Sequence, residues 1–355
     1  MNYRDLSERD KQSTVLSRLD DARVAIENMP TGGGGLIEYA VDENGKMSRA
    51  TVNFKLPNNV KDLSDYTFNC MFSNDMTIKT ADLSSLTTIS GEHGAESMFS
   101  KCSNLTSVDL SSLTTISGLY GTHYMFNYCD GLTSVDLSSL TTISGRCGAE
   151  NMFAYCTNLT SVDLSSLTDI SGSSGASLMF DHSGVTSVDL SSLTTISGGT
   201  GAQYMFNYCG SLTSVDLSSL TTISGSSSAY YMFGNCSKLT SIDLSSLTTI
   251  NGSNIMSGMF YNCSKLTSVD FSSLTNISGS TAMSNMFERC TSLIELRFPA
   301  LTADSFGSIS SQFSNILKGI TGCTLHFPAA AQSRIETLIG YPNFGGTNTV
   351  VLFDL

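Results

Sequence analysis

Apolar residues recur in one fixed order along this chain. The stretch Met98-Phe99-Ser100-Lys101-Cys102-Ser103-Asn104-Leu105-Thr106-Ser107-Val108-Asp109-Leu110-Ser111-Ser112-Leu113-Thr114-Thr115-Ile116-Ser117-Gly118 has apolar residues at Met98, Phe99, Leu105, Val108, Leu110, Leu113 and Ile116. Met-Phe pairs begin at Met71, Met98, Met125, Met152, Met179, Met205, Met232, Met259 and Met286, 27 residues apart except for one step of 26 between Met179 and Met205. Three residues after each Phe stands a cysteine: Cys102, Cys129, Cys156, Cys209, Cys236, Cys263 and Cys290. Asp75 and Ser183 take its place in two units. The short step follows Ser183, so that unit has lost one residue in its turn.

The local pattern predicts a strand and a coil around it. Val108-Asp109-Leu110 alternates with a period of two, which points Val108 and Leu110 inward and Asp109 outward. Leu113 and Ile116 follow on a descending arc into the same interior, and Met98 and Phe99 close the coil from the other side. One unit cannot bury such a face alone; stacking copies does. One period before Ala81-Asp82-Leu83 lies Phe54-Lys55-Leu56, and one period after Val269-Asp270-Phe271 lies Leu296-Arg297-Phe298, with Leu325-His326-Phe327 adding one more. Pro57, Pro299 and Pro328 follow these three end strands where the inner ones have Ser, and proline blunts further strand addition. The expectation is a β-rich solenoid with a parallel sheet of about eleven stacked strands, ten steps of ~4.8 Å and roughly 48 Å in all.

The apolar spacing L-x-x-L-x-L-x-x-L is that of leucine-rich repeats. The wording of the units resembles the BspA-type leucine-rich-repeat surface proteins, whose aromatic-x-x-Cys turn and L-x-x-L-x-L-S run are matched here by Met259-Phe260-Tyr261-Asn262-Cys263-Ser264-Lys265-Leu266-Thr267-Ser268-Val269-Asp270-Phe271-Ser272. The match covers roughly residues 50 to 328 and keeps its register throughout. The resemblance implies a leucine-rich-repeat fold and a role as an adhesin or binding protein at a microbial surface.

The ends differ from the array. Residues 5–29 carry Val15, Leu19, Ala22, Ile26 and Met29 on one helical stripe. Met29-Pro30 ends that helix, and Thr31 to Gly35 form a flexible linker. An isolated helix of this length is marginal in water, so the expectation is anchoring or self-association through residues 5–29; folding back on the first turn is the alternative. The domain reading is therefore an N-terminal helix over 1–30, a glycine linker over 31–35, a solenoid over 36–328 that opens with a capping turn, and a C-terminal cap over 329–355. In that cap Pro328 opens a helix bearing Ile335, Leu338 and Ile339, and Thr349–Phe353 forms a last strand. This terminal segment also resembles the ends of repeat proteins encoded by phages and prophages.

Composition narrows the function. With 31 acidic against 18 basic residues the net charge is −13, which disfavours nucleic acid as a partner. No run of 18 apolar residues is present, so no membrane span is expected. The N-terminus lacks a secretory signal, which implies cytoplasmic synthesis and display on a virion or an extracellular surface after release. The four histidines share no column, no C-x-x-C pair suggests zinc, and neither a phosphate loop nor a nucleophile elbow occurs. A non-enzymatic protein is expected. The cysteine column reads as reduced packing thiols, with Cys70 and Cys147 the likelier exposed ones.

Two columns carry candidate binding chemistry. Asp82, Asp109, Asp136, Asp163, Asp189, Asp216, Asp243 and Asp270 share one outward position. At ~4.8 Å each neighbouring pair costs about 0.9 kcal/mol in bulk water, roughly 6 kcal/mol over seven pairs before screening. Hydroxyls such as Ser107 and Ser111, the end charges Lys55 and Arg297, or calcium bound among Asp109, Asp136, Asp163, Asp189, Asp216 and Asp243 would offset it; otherwise no cofactor is expected. The second column lies in the turns, where the units differ. Tyr120, His123, Tyr124, Tyr204, Tyr230 and Tyr231 fall in the changing stretch, and Tyr128, Tyr155, His182 and Tyr208 precede the cysteine position on four consecutive units. Aromatics on successive turns form a ridge suited to a protein or glycan on a host surface; ordinary turn packing is the alternative. The leading setting is a phage tail, virion accessory or receptor-binding protein; a bacterial surface adhesin and a repeat scaffold for protein assembly are the alternatives.

Overall fold

The computed structural model describes residues 52–56, 58–64, 68–306, 312–339 and 344–355. The expected helix over 5–29, the linker over 31–35 and the start of the capping turn lie outside the described residues. The rest winds into a parallel solenoid of about eleven turns, each with three sides.

The first side is the expected parallel sheet. Its strands begin with Val52–Lys55 and Ile78–Asp82, continue as three-residue copies from Ser107–Asp109 to Ser268–Asp270, and end with Glu295–Arg297, Thr324–His326 and Val350–Leu352. Like pairs with like: Val135 with Val162, Val188 with Val215, Asp243 with Asp270. The repeated strands show the exposed–buried–exposed pattern that period-two alternation requires. Hydrogen bonding divides this side into a seven-stranded and a five-stranded segment. The last strand, expected as a cap, joins the same sheet in parallel register, His326 opposite Leu352.

The second side is another parallel sheet, of eight strands from Thr88–Ile89 to Asn276–Ser278. The apolar pattern placed Ile116 on an arc and gave no hint of it, because two or three residues per strand are too few to show alternation. Single bridges, Asp62 to Thr88 and Ile277 to Phe306, extend it at both ends. Between the two sheets a threonine column ties the turns together: Thr114, Thr141, Thr168, Thr194, Thr221, Thr248 and Thr275 each donate both N–H and hydroxyl to the carbonyl of the corresponding threonine one turn back. That double bond accounts for a threonine that varies in no inner unit.

The third side holds no strand. N–H groups of Thr122, Tyr124, Phe126 and Tyr128 donate to Gly148, Glu150, Met152 and Ala154 of the next turn at 2.7–3.1 Å, while those of His123, Met125, Asn127 and Cys129 close on the carbonyl three residues back. Every backbone donor in the row is thereby used, half along the rod and half within the turn. The chain avoids becoming a helix because every fourth residue is left-handed: Tyr124 at φ 55°, Tyr128 at φ 59°, and their counterparts in the other units.

The interior is a set of columns. Phe72, Phe99, Phe126, Phe153, Phe180, Phe206, Phe233, Phe260 and Phe287 stack with neighbouring centroids 5.2–5.6 Å apart and planes within 10°. Each stacked pair contributes about 0.5–1.5 kcal/mol beyond its burial. Each column thiol donates to the carbonyl of a phenylalanine one turn back, as Cys156 does to Phe126 at 3.0 Å and Cys209 to Phe180 at 3.0 Å. No disulfide joins any of the ten cysteines, and burial raises the column thiols, Cys156 and Cys263 to about 12. Cysteine fits because it is small, apolar and carries one weak donor for that carbonyl.

Glycine sets the spacing at the corner after the second sheet. A Cβ on Gly145 would lie 2.0 Å from the Gly118 carbonyl oxygen, one on Gly172 2.0 Å from that of Gly145, and one on Gly198 1.9 Å from that of Gly172. The 26-residue unit uses the same device. Ser183-Gly184-Val185 replaces the longer Cys-x-x-Leu turn, and a Cβ on Gly184 would lie 2.1 Å from the Thr157 carbonyl oxygen. The chain takes the short path where it has no side chain, and the strands resume their register, Ser187 opposite both Ser161 and Ser214. At the C-terminal end a 3-10 turn over Ala329–Ala331, preceded by Pro328, leads into the helix Gln332–Ile339, which buries Ile335 over the last turns.

Gly172→Ala should destabilise the solenoid by roughly 1–3 kcal/mol, since the methyl must displace backbone. Gly199→Ala, whose added carbon would make only ordinary contacts, with Ser173 Oγ at 3.5 Å and its carbonyl oxygen at 3.9 Å, should be neutral or slightly stabilising through the unfolded chain. Urea unfolding midpoints of the two variants check this.

Candidate binding face on the turn side

Left-handed backbone presents the candidate side chains. Within each turn of the third side, Met, Phe and Cys point into the core, and the two left-handed residues stand one before Met and one before Cys, as Tyr124 and Tyr128 do. One outward column runs through Lys101, Tyr128, Tyr155, His182, Tyr208, Asn235, Asn262 and Arg289, all at φ between 57° and 66°. Tyr128, Tyr155, His182 and Tyr208 form a four-ring stack along it, with centroid separations of 4.5, 4.7 and 4.5 Å. This is the expected ridge. Tyr128 and Tyr208 are exposed, and Tyr155 and His182 half-buried between them. His182 Nδ1 meets the buried Asp181 carboxylate at 2.8 Å, and Asp181 also accepts from Asn207. Toward the C-terminus the column turns to amides, where Asn262 donates to Asn235 and Asn235 to Asn207.

The other predicted residues gather into two clusters flanking the stack. On the N-terminal side Tyr120 packs against His93 at 5.1 Å and His123 at 5.7 Å, and His123 against Tyr124 at 4.1 Å. On the C-terminal side Tyr204, Tyr230 and Tyr231 pack mutually at 4.6–5.7 Å, and Tyr231 continues to Tyr261, over which Arg289 lies at 5.5 Å. Burial, then the neighbouring Tyr230, pushes the phenols of Tyr204 and Tyr231 up to about 12. Burial, then Glu150, raises Tyr124, and burial, then Asp181, raises Tyr155. These phenols therefore stay protonated donors at neutral pH.

The sequence reading missed His93, Glu96, Tyr261 and Arg289 as parts of this face. Glu96 joins two histidines that share no column, meeting His93 Nδ1 at 2.6 Å and His123 Nδ1 at 3.4 Å across a turn boundary. The register was a usable signal for His123, which lies 27 residues from Glu96. Of the two thiols expected to be exposed, Cys70 and Cys147 are half-buried, and burial, then Glu150, pushes Cys147 up to about 12.

The aspartate column stands in file on the first sheet. Asp109 lies opposite Asp136, Asp136 opposite Asp163, Asp163 opposite Asp189, and Asp189 opposite Asp216. Each carboxylate bends onto its own turn. Its Oδ1 accepts the N–H of the serine two residues on, at 2.8–3.1 Å from Ser84 to Ser272, and the hydroxyl as well at Ser84, Ser111 and Ser218. These bonds, the serine side chain first, lower Asp136 and Asp216. At Asp82 burial is the largest influence and acts the other way, but Lys55 at 2.6 Å and Ser84 outweigh it. At the far end Arg297 stands opposite Asp270 but pairs with Glu295 at 3.3 Å. Among the described residues no three acidic, histidine or cysteine groups converge as a metal site.

The two outward faces differ in information. The aspartate face repeats one side chain, whereas the turn face changes from turn to turn in ring, amide and charge. Only the second is able to distinguish ligands along its length.

A family sequence model described as the BspA type leucine-rich repeat region (6 copies) matches residues 46–147, 92–200, 122–252 and 202–321. No curated protein sequence matches the chain. Among solved structures it is similar to a leucine-rich cell surface protein of Faecalibacterium prausnitzii A2-165, at 16% identity over 91% of this chain and 96% of that one, with a TM-score of 0.29. An internalin of Listeria monocytogenes is similar at 14% identity over 71% and 76% of the two chains, TM-score 0.26. The mouse RP105/MD-1 complex is similar at 16% identity over 78% and 51%, TM-score 0.32. Likeness at this level carries no functional argument.

Ser218→Ala should move the Asp216 titration midpoint up toward the ordinary carboxylate range in a carboxyl NMR titration. A depressed carboxylate stabilises the fold above its unfolded-state pKa and releases that stability as pH falls through its folded-state pKa. The variant should therefore be less stable than the parent at neutral pH, and the gap should close in acid. Thermal melting in calcium and in chelator should give the same midpoint, since Oδ1 of each column carboxylate is engaged within its own turn; a rise with calcium would restore a cation to the column.

Proposed function

We propose that this chain, which belongs to the BspA-type leucine-rich-repeat family, is a non-enzymatic adhesion protein that binds its partner through the turn side of the solenoid. The observation that carries this reading is the presence of tyrosine where the backbone disfavours it. Left-handed φ costs an ordinary L-residue about 1–2 kcal/mol, and asparagine or glycine bears it best. The chain itself uses Asn235 and Asn262 in the same column and Gly258 in the neighbouring one. Stacking returns about 0.5–1.5 kcal/mol per ring pair, so the four-ring ridge brings little net stability over an asparagine column. Strain retained without a stability return, on an exposed face, marks a site selected for contact.

The rings are suited to that work. Tyrosine offers broad contact area at small conformational cost, with a hydroxyl for polar pairing. The rod beneath is rigid, bonded between turns on all three sides, so binding does not have to order the surface first. Family members typically act as adhesins or binding proteins at microbial surfaces, and a bacterial surface is the setting we propose. The virion setting rests on the repeat, on the apolar stripe of residues 5–29 as an anchor or self-association segment, and on the likeness of the terminal segment. Among the described residues no helix is long and apolar enough to cross a membrane.

The test is adhesion of beads coated with the full chain to epithelial monolayers. The triple variant Tyr128→Asn, Tyr155→Asn, Tyr208→Asn should keep a melting midpoint within a few degrees of the parent and lose adhesion about tenfold or more, a loss typical of removing interface aromatics. Replacing Asp136, Asp163 and Asp189 by serine should leave adhesion intact. Unchanged adhesion in the tyrosine variant, or its loss in the aspartate variant, would move the binding face to the sheet.

A further inference from the structure

Toward the C-terminal end of the turn side, the outward columns part into an open groove of about 630 Å³. Gln203, Tyr230, Asn254, Thr281, Asn285 and Asn315 line it together with four serines. Gln203 and Tyr230 share a column with two of those serines, Ser257 and Ser284, so the groove follows the rod across at least four turns, set ~4.8 Å apart. Asn254, Thr281, Asn285 and Asn315 all have left-handed backbone, with φ 53–54°. None of these groove residues except Tyr230 belonged to the aromatic pattern visible in the sequence.

The lining has a definite chemical character. It contains no charged side chain, which disfavours phosphates, acidic sugars and charged peptides. It contains amides and hydroxyls, which both donate and accept hydrogen bonds. Asn254 Oδ1 accepts from Thr281, and no described residue accepts from the Asn254 amide nitrogen. Asn285 also lines the groove, and its buried Oδ1 has no hydrogen-bond partner. One aromatic ring is present. Tyr230 is held edge-on against Tyr204 at 5.4 Å and tilted against Tyr231 at 4.6 Å, which fixes its plane.

We propose that this groove binds a neutral, linear oligosaccharide, one pyranose ring lying on Tyr230 and its neighbours' hydroxyls meeting the asparagine amides. Sugar hydroxyls both donate and accept, as the amides do, and the C–H face of a pyranose packs on an aromatic ring while its rim remains polar. A chain of like sugars advances in even steps, and so do the turns. A peptide fits less well. It needs either a free strand edge or an apolar pocket, whereas here the backbone is committed between turns, as at Asn254 to Ser280 and Asn285 to Ser314, and the walls are polar. The inference rests on the turn side being the binding face, and it names the ligand class for one part of it.

The probes are neutral hexasaccharides of glucose, mannose and xylose in β- and α-linked forms, arrayed and then titrated calorimetrically against the full chain. At least one should bind the parent protein. Tyr230→Ala and, separately, Asn254→Ala should weaken that binding tenfold or more, while Asp163→Ser, on the first sheet, should leave it unchanged. A second readout guards against misfolding: in the parent, the bound sugar should shift the side-chain amide NMR signals of Asn254 and Asn285. Failure of every neutral hexasaccharide to bind at millimolar concentration, or binding that Tyr230→Ala and Asn254→Ala both leave intact, overturns the inference. Cell adhesion that persists without sugar binding would overturn it while leaving the turn-side reading standing, whereas adhesion insensitive to the ridge variant would remove that reading itself.

Discussion

Each turn of this chain must come back to within hydrogen-bonding distance of the turn before it, on all three sides at once. Backbone bonds between turns run through both parallel sheets and through the row of turns on the third side. Such a structure is coupled on three sides at once: a turn of different length must absorb the difference locally before the next row, as the 26-residue unit does before Ser187 and the longer step from Arg297 to His326 does at the C-terminal end. The glycine column enforces the distance where the backbones approach most closely, with carbonyl oxygens sitting where a Cβ would be. The shortened unit obeys the same limit, taking its shorter path through Gly184. Threonine and cysteine serve this constraint as well, each adding a side-chain donor to a carbonyl one turn away.

Equal turns make every residue choice a column. For apolar residues this is favourable, and the nine-ring phenylalanine stack is the outcome. For aspartate it sets like charges in file, and the fold answers locally: the serine two residues on donates to each carboxylate within its own turn, and Lys55 meets the first of them. The same arithmetic applies to the tyrosines. Rings that would be isolated on an ordinary surface touch their neighbours here and form a continuous strip of fixed orientation. A small variation in the turns thereby acquires a large geometric consequence.

The third side is also where backbone strain is concentrated. Two left-handed residues in each turn keep the chain from coiling into a helix and aim alternate side chains outward. Where asparagine occupies these positions, amides link turn to turn; where tyrosine does, the rings stack. The fold tolerates both, so the core does not dictate the outward residue. That separation, a core fixed by stacking and a face left variable, is what the proposed recognition role draws on.

The 27-residue register of Met, Phe, Cys and Leu, with the strand alternation at Val108-Asp109-Leu110, was sufficient on its own to determine a stacked parallel solenoid, its interior columns, the aspartate file and the ridge of Tyr128, Tyr155, His182 and Tyr208. Those properties follow from periodicity, because equal spacing in the chain becomes adjacency along the rod. Only the tertiary structure decided the second sheet, whose strands are too short to leave an alternating signature, and the left-handed backbone of the turn side, which tyrosine gives no reason to expect. It alone brought Glu96 between His93 and His123, turned Arg297 to Glu295 instead of the aspartate column, and opened the polar groove beside Tyr230. These depend on how side chains of different columns lean toward one another across a turn, and repetition along one axis does not fix geometry in the perpendicular plane.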